Sequence, residues 1–204
     1  MRNRGGFTLI EMIGVLAVIA ILAAMVAPKI FKVISDSQTT RVASESRTYA
    51  SAVADWYKDV RTLRPLDAAG ATLVANDTAW HTQLTTPLSA TAGLWARWAG
   101  PYIDGAPQTA VGTSSAIENC ASAGAAPSAA NCSGVDFDFN NSNDVTVGSR
   151  VVWQTIVGAS LAEFNDVDRI IDGAQGANAA QRQARGRVKY DTATSTMRVY
   201  LASD

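Results

Sequence analysis

The chain has 204 residues, with 17 Lys+Arg against 18 Asp+Glu, a formal net charge of −1, 48% hydrophobic and 17% charged residues. That length suits one compact domain with an appendage, or two very small domains, and the balanced charge argues against nucleic-acid contact, which calls for a basic excess. One histidine, His81, and two cysteines, Cys120 and Cys132, exclude zinc sites built on several His or Cys ligands and leave a Ser-His-Asp triad only His81 to rest on.

Residues 7–28 read FTLIEMIGVLAVIAILAAMVAP, apolar or small throughout except for Thr8 and Glu11. About 20 such residues at about 1.5 Å each cross a hydrocarbon core of about 30 Å. MRNRGG precedes the run, with Arg2 and Arg4, and Lys29 follows it. Cations on the leading side keep the leader in the cytoplasm and send the remainder out. The run exceeds the apolar region of a cleaved secretory signal, about 7–15 residues, and Pro28-Lys29 is a poor cleavage context. Glu11 is the anomaly. A carboxylate in an apolar band costs about 2.5–3.5 kcal/mol at mid-membrane and less near an edge. It needs a cation, and the segment supplies none.

Gly6-Phe7-Thr8-Leu9-Ile10-Glu11 resembles the processing site of type IV pilins and type II secretion pseudopilins, and the likeness extends over residues 5–30. The resemblance implies cleavage between Gly6 and Phe7 by a membrane prepilin peptidase, then methylation of the new Phe7 amine. It implies that Glu11 pairs with the Phe7 amine of a neighbouring subunit, and that Pro28 stands where the family commonly kinks or melts the helix. It further implies an inner-membrane protein with one span, a cytoplasmic leader and an exported C-terminal domain. That protein then joins a periplasmic or cell-surface filament with like or unlike pilins, through an inner-membrane assembly platform. The physical logic is independent of the family. In a bundle of apolar helices an unpaired acid and amine are expensive, and pairing them between copies fixes axial register. Pro28 removes one backbone donor and clashes with the preceding turn. Gly14 is a second weak point, although small residues also permit close helix packing. The organisation expected is a leader over 1–6, a membrane or filament-core helix over 7–28, and an amphipathic helix with a globular headpiece over 29–204.

From residue 29 the pattern becomes amphipathic. Val42, Tyr49, Val53, Trp56 and Val60 recur on one helical face, and Pro65 is expected to end the helix. Asp77 is a candidate cap for a short helix carrying Trp80 and Leu84, which Pro87 breaks. Trp95, Trp98 and Tyr102 offer either core filling or a ligand platform, and Gly100-Pro101-Tyr102 marks a turn. Residues 105–134, rich in Ala, Ser, Gly and Thr, read as an extended surface loop. In an exported, oxidising setting Cys120 and Cys132 are expected to form a disulfide there, tying the loop by about 2–4 kcal/mol.

Asp136-Phe137-Asp138-Phe139-Asn140 echoes the opening of a calcium loop, but the required Gly is absent and Val147 stands where the final Glu belongs. An EF-hand is rejected, a looser calcium site stays open, and no other cofactor is expected. Residues 145–157 are β-rich. Ser160 and Glu163 form a capping box for a helix that runs to about Ile171, with Gly173 as C-cap. Asp166, Asp168 and Asp172 read as solvated helix residues rather than metal ligands. Residues 175–185 form a loop or short helix. A closing hairpin alternates Val188 and Tyr190, turns over 191–195, and alternates Met197, Val199 and Leu201.

The fold class is therefore α+β, a long N-terminal helix packed on a small antiparallel sheet. The role expected is structural and non-enzymatic: a major or minor pilin, with a secretion pseudopilin as the alternative. A membrane-tethered binder built on Trp95, Trp98 and Tyr102 is the reading from another class.

Overall fold

The computed structural model describes residues 6, 8–75, 77–121, 149–173 and 186–204. It is an α+β protein with a long apolar N-terminal helix and a four-stranded antiparallel sheet. Helix α1 spans Leu9–Val60, α2 His81–Thr85 and α3 Leu161–Ile171, with a 3-10 turn over Gly93–Arg97. The strands are β1 Ser114–Ala121, β2 Arg150–Val157, β3 Val188–Asp191 and β4 Thr196–Ser203, ordered β1-β2-β4-β3. The chain divides into two compact units, Met1–Ser37 and Gln38–Asp204, and α1 contributes residues to both.

In the first unit every large apolar side chain from Leu9 to Ile34 is exposed. A helix that is hydrophobic all round and buries nothing needs an apolar solvent or other helices. By length and composition α1 can cross a membrane. Pro28 lies inside the helix. Its missing N–H leaves the Ala24 carbonyl without its helical donor.

In the second unit the same helix turns one face inward. Val42, Val53, Trp56 and Val60 are fully buried on the expected stripe, while Tyr49 is only half-buried. The helix stops at Val60, short of Pro65. Arg61 adopts a left-handed φ of 66° and its N–H bonds the Tyr57 carbonyl at 2.9 Å. A left-handed cap of this kind closes a helix without help from a proline.

Trp56 is the centre of the first core cluster. Trp80, Trp95 and Tyr102 stand edge-on to it with ring centroids 5.3, 5.8 and 5.8 Å away. Its Nε1 donates to the Thr62 carbonyl at 2.7 Å. Trp95 Nε1 donates to the Asp67 carbonyl at 2.7 Å and Trp98 Nε1 to the Gln83 carbonyl at 3.1 Å. Each indole fills core and staples a loop. A second cluster joins Val42, Ile156, Phe164, Val188 and Met197, with Tyr190 stacked on Phe164 at 5.1 Å.

The hairpin β3–β4 forms where alternation places it, inward Val188 opposite Val199 and Tyr190 opposite Met197. β1 corrects the expectation of a surface loop over 105–134. Its Ser, Ala, Glu and Asn residues have little strand propensity, yet it pairs with β2 from Ser114↔Val157 through Ala121↔Arg150. Burial of Ile117 and Asn119 fixes that register. Asp77 does not cap α2. It bridges Asn119 of β1 and accepts from Ala79 N–H at 2.9 Å, while Trp80 holds the N-cap position without a side-chain cap. The capping box Ser160–Glu163 opens α3 as the spacing predicts, and Gly173 follows its C-cap with φ 72°.

The two aspartates of α3 and the one that follows it, Asp172, are not all solvated. Asp166 pairs with Arg169 at 2.6 Å, but Asp168 is fully buried and Asp172 accepts from Val188 N–H at 2.9 Å. Burial pushes the Asp172 carboxyl above its ordinary pKa of 3.8, against the pull of the Val188 and Arg187 N–H groups. Residues 122–134 of the expected loop, 136–144 of the calcium-like run, 145–148 of the β-rich stretch and 175–185 lie outside the described residues.

Candidate processing and assembly site

The chemistry gathers at the start of α1. Thr8 is the last residue before the helix and Glu11 lies in its first turn. Glu11 Oε2 accepts from Thr8 N–H at 2.8 Å and from Thr8 Oγ1–H at 2.7 Å. In return Glu11 N–H reaches Thr8 Oγ1 at 3.3 Å. This is a capping box. The first N–H groups of a helix have no internal partner, and the two side chains satisfy them reciprocally. A negative charge in the first turn also suits the positive end of the helix dipole.

The acid therefore has polar partners within its own chain, although neither is a cation, and the sequence reading did not single out Thr8. The signal was the spacing T-x-x-E, identical in form to Ser160-x-x-Glu163. It was hidden because Glu11 stands out as a charge in a membrane band before it stands out as a helix-start residue. Both Thr8 bonds fall on Oε2, and among the described residues Oε1 has no partner. The carboxylate is thus held in one orientation with one oxygen presented outward.

Gly6 is exposed, and among the described residues nothing lies within 4 Å of where a Cβ would stand. Open space there leaves the backbone accessible to a protein that approaches it. Phe7, Arg2 and Arg4 lie outside the described residues. Pro28 sits 17 residues beyond Glu11 in the same helix.

Elsewhere the candidate sites thin out. The Trp95, Trp98 and Tyr102 platform is overturned, because Trp95 is buried in the first core cluster and Trp98 and Tyr102 pack against that cluster. Tyr102 donates its hydroxyl to Asp59 at 3.0 Å, and its burial raises its pKa above 10.0. His81 has burial lowering its pKa below 6.5, and among the described residues its buried Nδ1 has no partner. Among the described residues no group of three or more His, Cys, Asp or Glu stands close enough to hold a metal. Cys120 is buried in β1 opposite Val151, and Cys132 lies outside the described residues.

A latch that sequence reasoning did not anticipate joins the loop after α1 to the sheet. Asn119, fully buried, donates its Nδ2 to the Leu63 carbonyl and exchanges backbone bonds with Asp77 at 2.8 and 2.7 Å. Arg150, also buried, sends its guanidinium to Asn119 Oδ1 at 3.4 Å and to the carbonyls of Leu73, Val74 and Ala75. A delocalised, rigid fork of donors suits several carbonyls at once.

Residues 1–27 match the family model of the prokaryotic N-terminal methylation motif. This is the leader motif of type IV pilins and pseudopilins, and it supports a pilin-like or pseudopilin substrate of the prepilin peptidase. No curated protein and no solved structure matches the chain.

Proposed function

We propose that the protein is a structural subunit, a major or minor pilin, of a type IV pilus-like filament. The prepilin peptidase cuts between Gly6 and Phe7 and the new Phe7 amine is methylated. The subunit rests in the inner membrane with one span until an assembly platform draws it into the filament. Residues 1–6 are the leader, 7–28 the span and filament core, and 29–204 the remaining helix and the exported headpiece. The chain is a substrate of processing and not an enzyme. The match of residues 1–27 to the methylation motif carries this reading.

The geometry of Glu11 supports the assembly step. Oε2 is taken by Thr8 and Oε1 has no partner among the described residues, so the carboxylate can accept from a neighbour's Phe7 ammonium without giving up its cap. In an apolar helix bundle a charge-assisted bond of this kind is strong, and its loss leaves two uncompensated charges. Pro28 supplies a point of reduced helix stiffness within the span. Cys120 is not a free thiol, which supports its disulfide with Cys132.

A pseudopilin of a type II secretion system is the second reading, favoured by the Gly100-Pro101-Tyr102 turn ahead of the sheet. Mass spectrometry of chain recovered from membranes containing the peptidase tests the processing step. The expected product begins at methylated Phe7, and a chain still beginning at Met1 refutes it. Glu11→Ala should enter the membrane and fail to form filaments visible by electron microscopy; filaments at the normal frequency would refute the pairing. Surface filaments lost on deletion of the gene favour the pilus, and loss of protein secretion without loss of surface filaments favours the pseudopilus.

A further inference from the structure

The apolar surface of α1 does not stop where the span should. Residues 9–28 are enough for a hydrocarbon core of about 30 Å. Beyond them Ile30, Phe31, Val33 and Ile34 remain between 49% and 70% exposed. Lys29 and Lys32 are interleaved with them and exposed. Three residues apart on a helix, the two lysines are neighbours on one face. Among the described residues neither ammonium takes part in an ion pair. Lys29 also borders a shallow groove of about 230 Å³ completed by Ile30, Val33 and Ile34.

A cation at the edge of an apolar groove, with a second one turn on along the helix, at the depth where hydrocarbon gives way to headgroups, has the complementarity of one molecule class. We infer that residues 29–34 form a seat for an anionic phospholipid of the outward-facing leaflet. The Lys29 and Lys32 ammoniums hold its phosphate, and Ile30, Val33 and Ile34 lie against its glycerol and upper acyl chain. Long lysine stems lie along apolar surface while the charged head reaches the interface. Asp36, half-buried one turn beyond Lys32, marks the outer limit of the seat, because a carboxylate repels the phosphate. The inference rests on reading residues 7–28 as a membrane span. It adds a role for the mature chain: once Arg2 and Arg4 leave with the leader, Lys29 and Lys32 are the cations that set how deep the subunit rests.

The full chain reconstituted into vesicles, with spin-labelled phosphatidylglycerol or phosphatidylcholine as probe, tests this. A juxtamembrane lysine is worth about fivefold in association with anionic lipid. Phosphatidylglycerol should be preferred over phosphatidylcholine by about that factor for each lysine. K29Q/K32Q should lose the preference, and K29R/K32R and R2Q/R4Q should keep it. Equal association of both lipids with the wild type overturns the inference, as does a preference that survives K29Q/K32Q. Loss of preference in R2Q/R4Q overturns it in favour of the leader, and abolition by millimolar inorganic phosphate at constant ionic strength overturns it in favour of a free anion. Alkaline carbonate extraction of the same vesicles separates the two readings. A chain stripped from the membrane refutes the span itself; a chain that resists extraction but shows no lipid preference refutes the lipid seat alone.

Discussion

Replacing Trp56 by Ala strikes the point on which α1, the loop after it and the aromatic cluster converge. The indole is fully buried, stands edge-on to Trp80, Trp95 and Tyr102 within 5.8 Å, and donates to the Thr62 carbonyl. Truncating a buried aromatic to Ala costs about 3–5 kcal/mol through lost transfer energy and the cavity left behind. The Thr62 carbonyl loses its donor, which adds about 1–3 kcal/mol where water does not replace it. Trp56→Ala should therefore lose roughly 4–8 kcal/mol, most of the stability of an ordinary domain. Trp56→Phe keeps a ring against the same neighbours and loses the N–H and part of the volume, for about 1–3 kcal/mol. Urea unfolding of the protein in detergent micelles, followed by near-ultraviolet circular dichroism, reads both. Equal losses in the two variants, or a loss below about 1 kcal/mol in Trp56→Ala, would refute the placement of this indole at the centre of the core.

Ser46 Oγ donates to Gln154 Oε1 at 2.6 Å inside the core, so Ser46→Ala should cost about 1–3 kcal/mol, and adding Gln154→Met should cost less than the two single changes summed, in a double-mutant cycle of urea midpoints. Ser160→Ala should cost about 1 kcal/mol and Ser160→Gly only a few tenths, by the same assay. Burial lowers the His81 pKa below 6.5, outweighing Asp77 and the Ile117 backbone bond, which raise it. The unfolded chain then binds more protons than the native one between the lowered value and 6.5. The His81 contribution to stability should rise with pH across that window and be flat above it, and His81→Gln should remove that contribution, leaving the fall that Asp172 with its raised pKa adds, in urea midpoints measured from pH 4 to 8.

The N-terminal half of α1 was legible in sequence because nothing there depends on distant residues. Length, hydropathy and the Gly6–Glu11 run act locally, and the Ser160–Glu163 box and the β3–β4 hairpin were readable for the same reason. Thr8 is the instructive miss. Its capping role is equally local, yet it was masked by the stronger signal of a charge in an apolar band. The aromatic platform failed differently. Composition cannot tell an exposed Trp95 from a buried one, and only the packing of Trp56 against Trp80, Trp95 and Tyr102 decides it.

By itself the amino-acid sequence determined that one end of this protein is an apolar helix with an acid near its start, since periodicity and transfer energy are properties of neighbouring residues. Tertiary structure alone decided that Ser114–Ala121 is a strand and that Asn119 and Arg150 latch the loop after α1. A weak strand former acquires its conformation from the ladder it joins, and a buried guanidinium is tolerable only where folded carbonyls surround it.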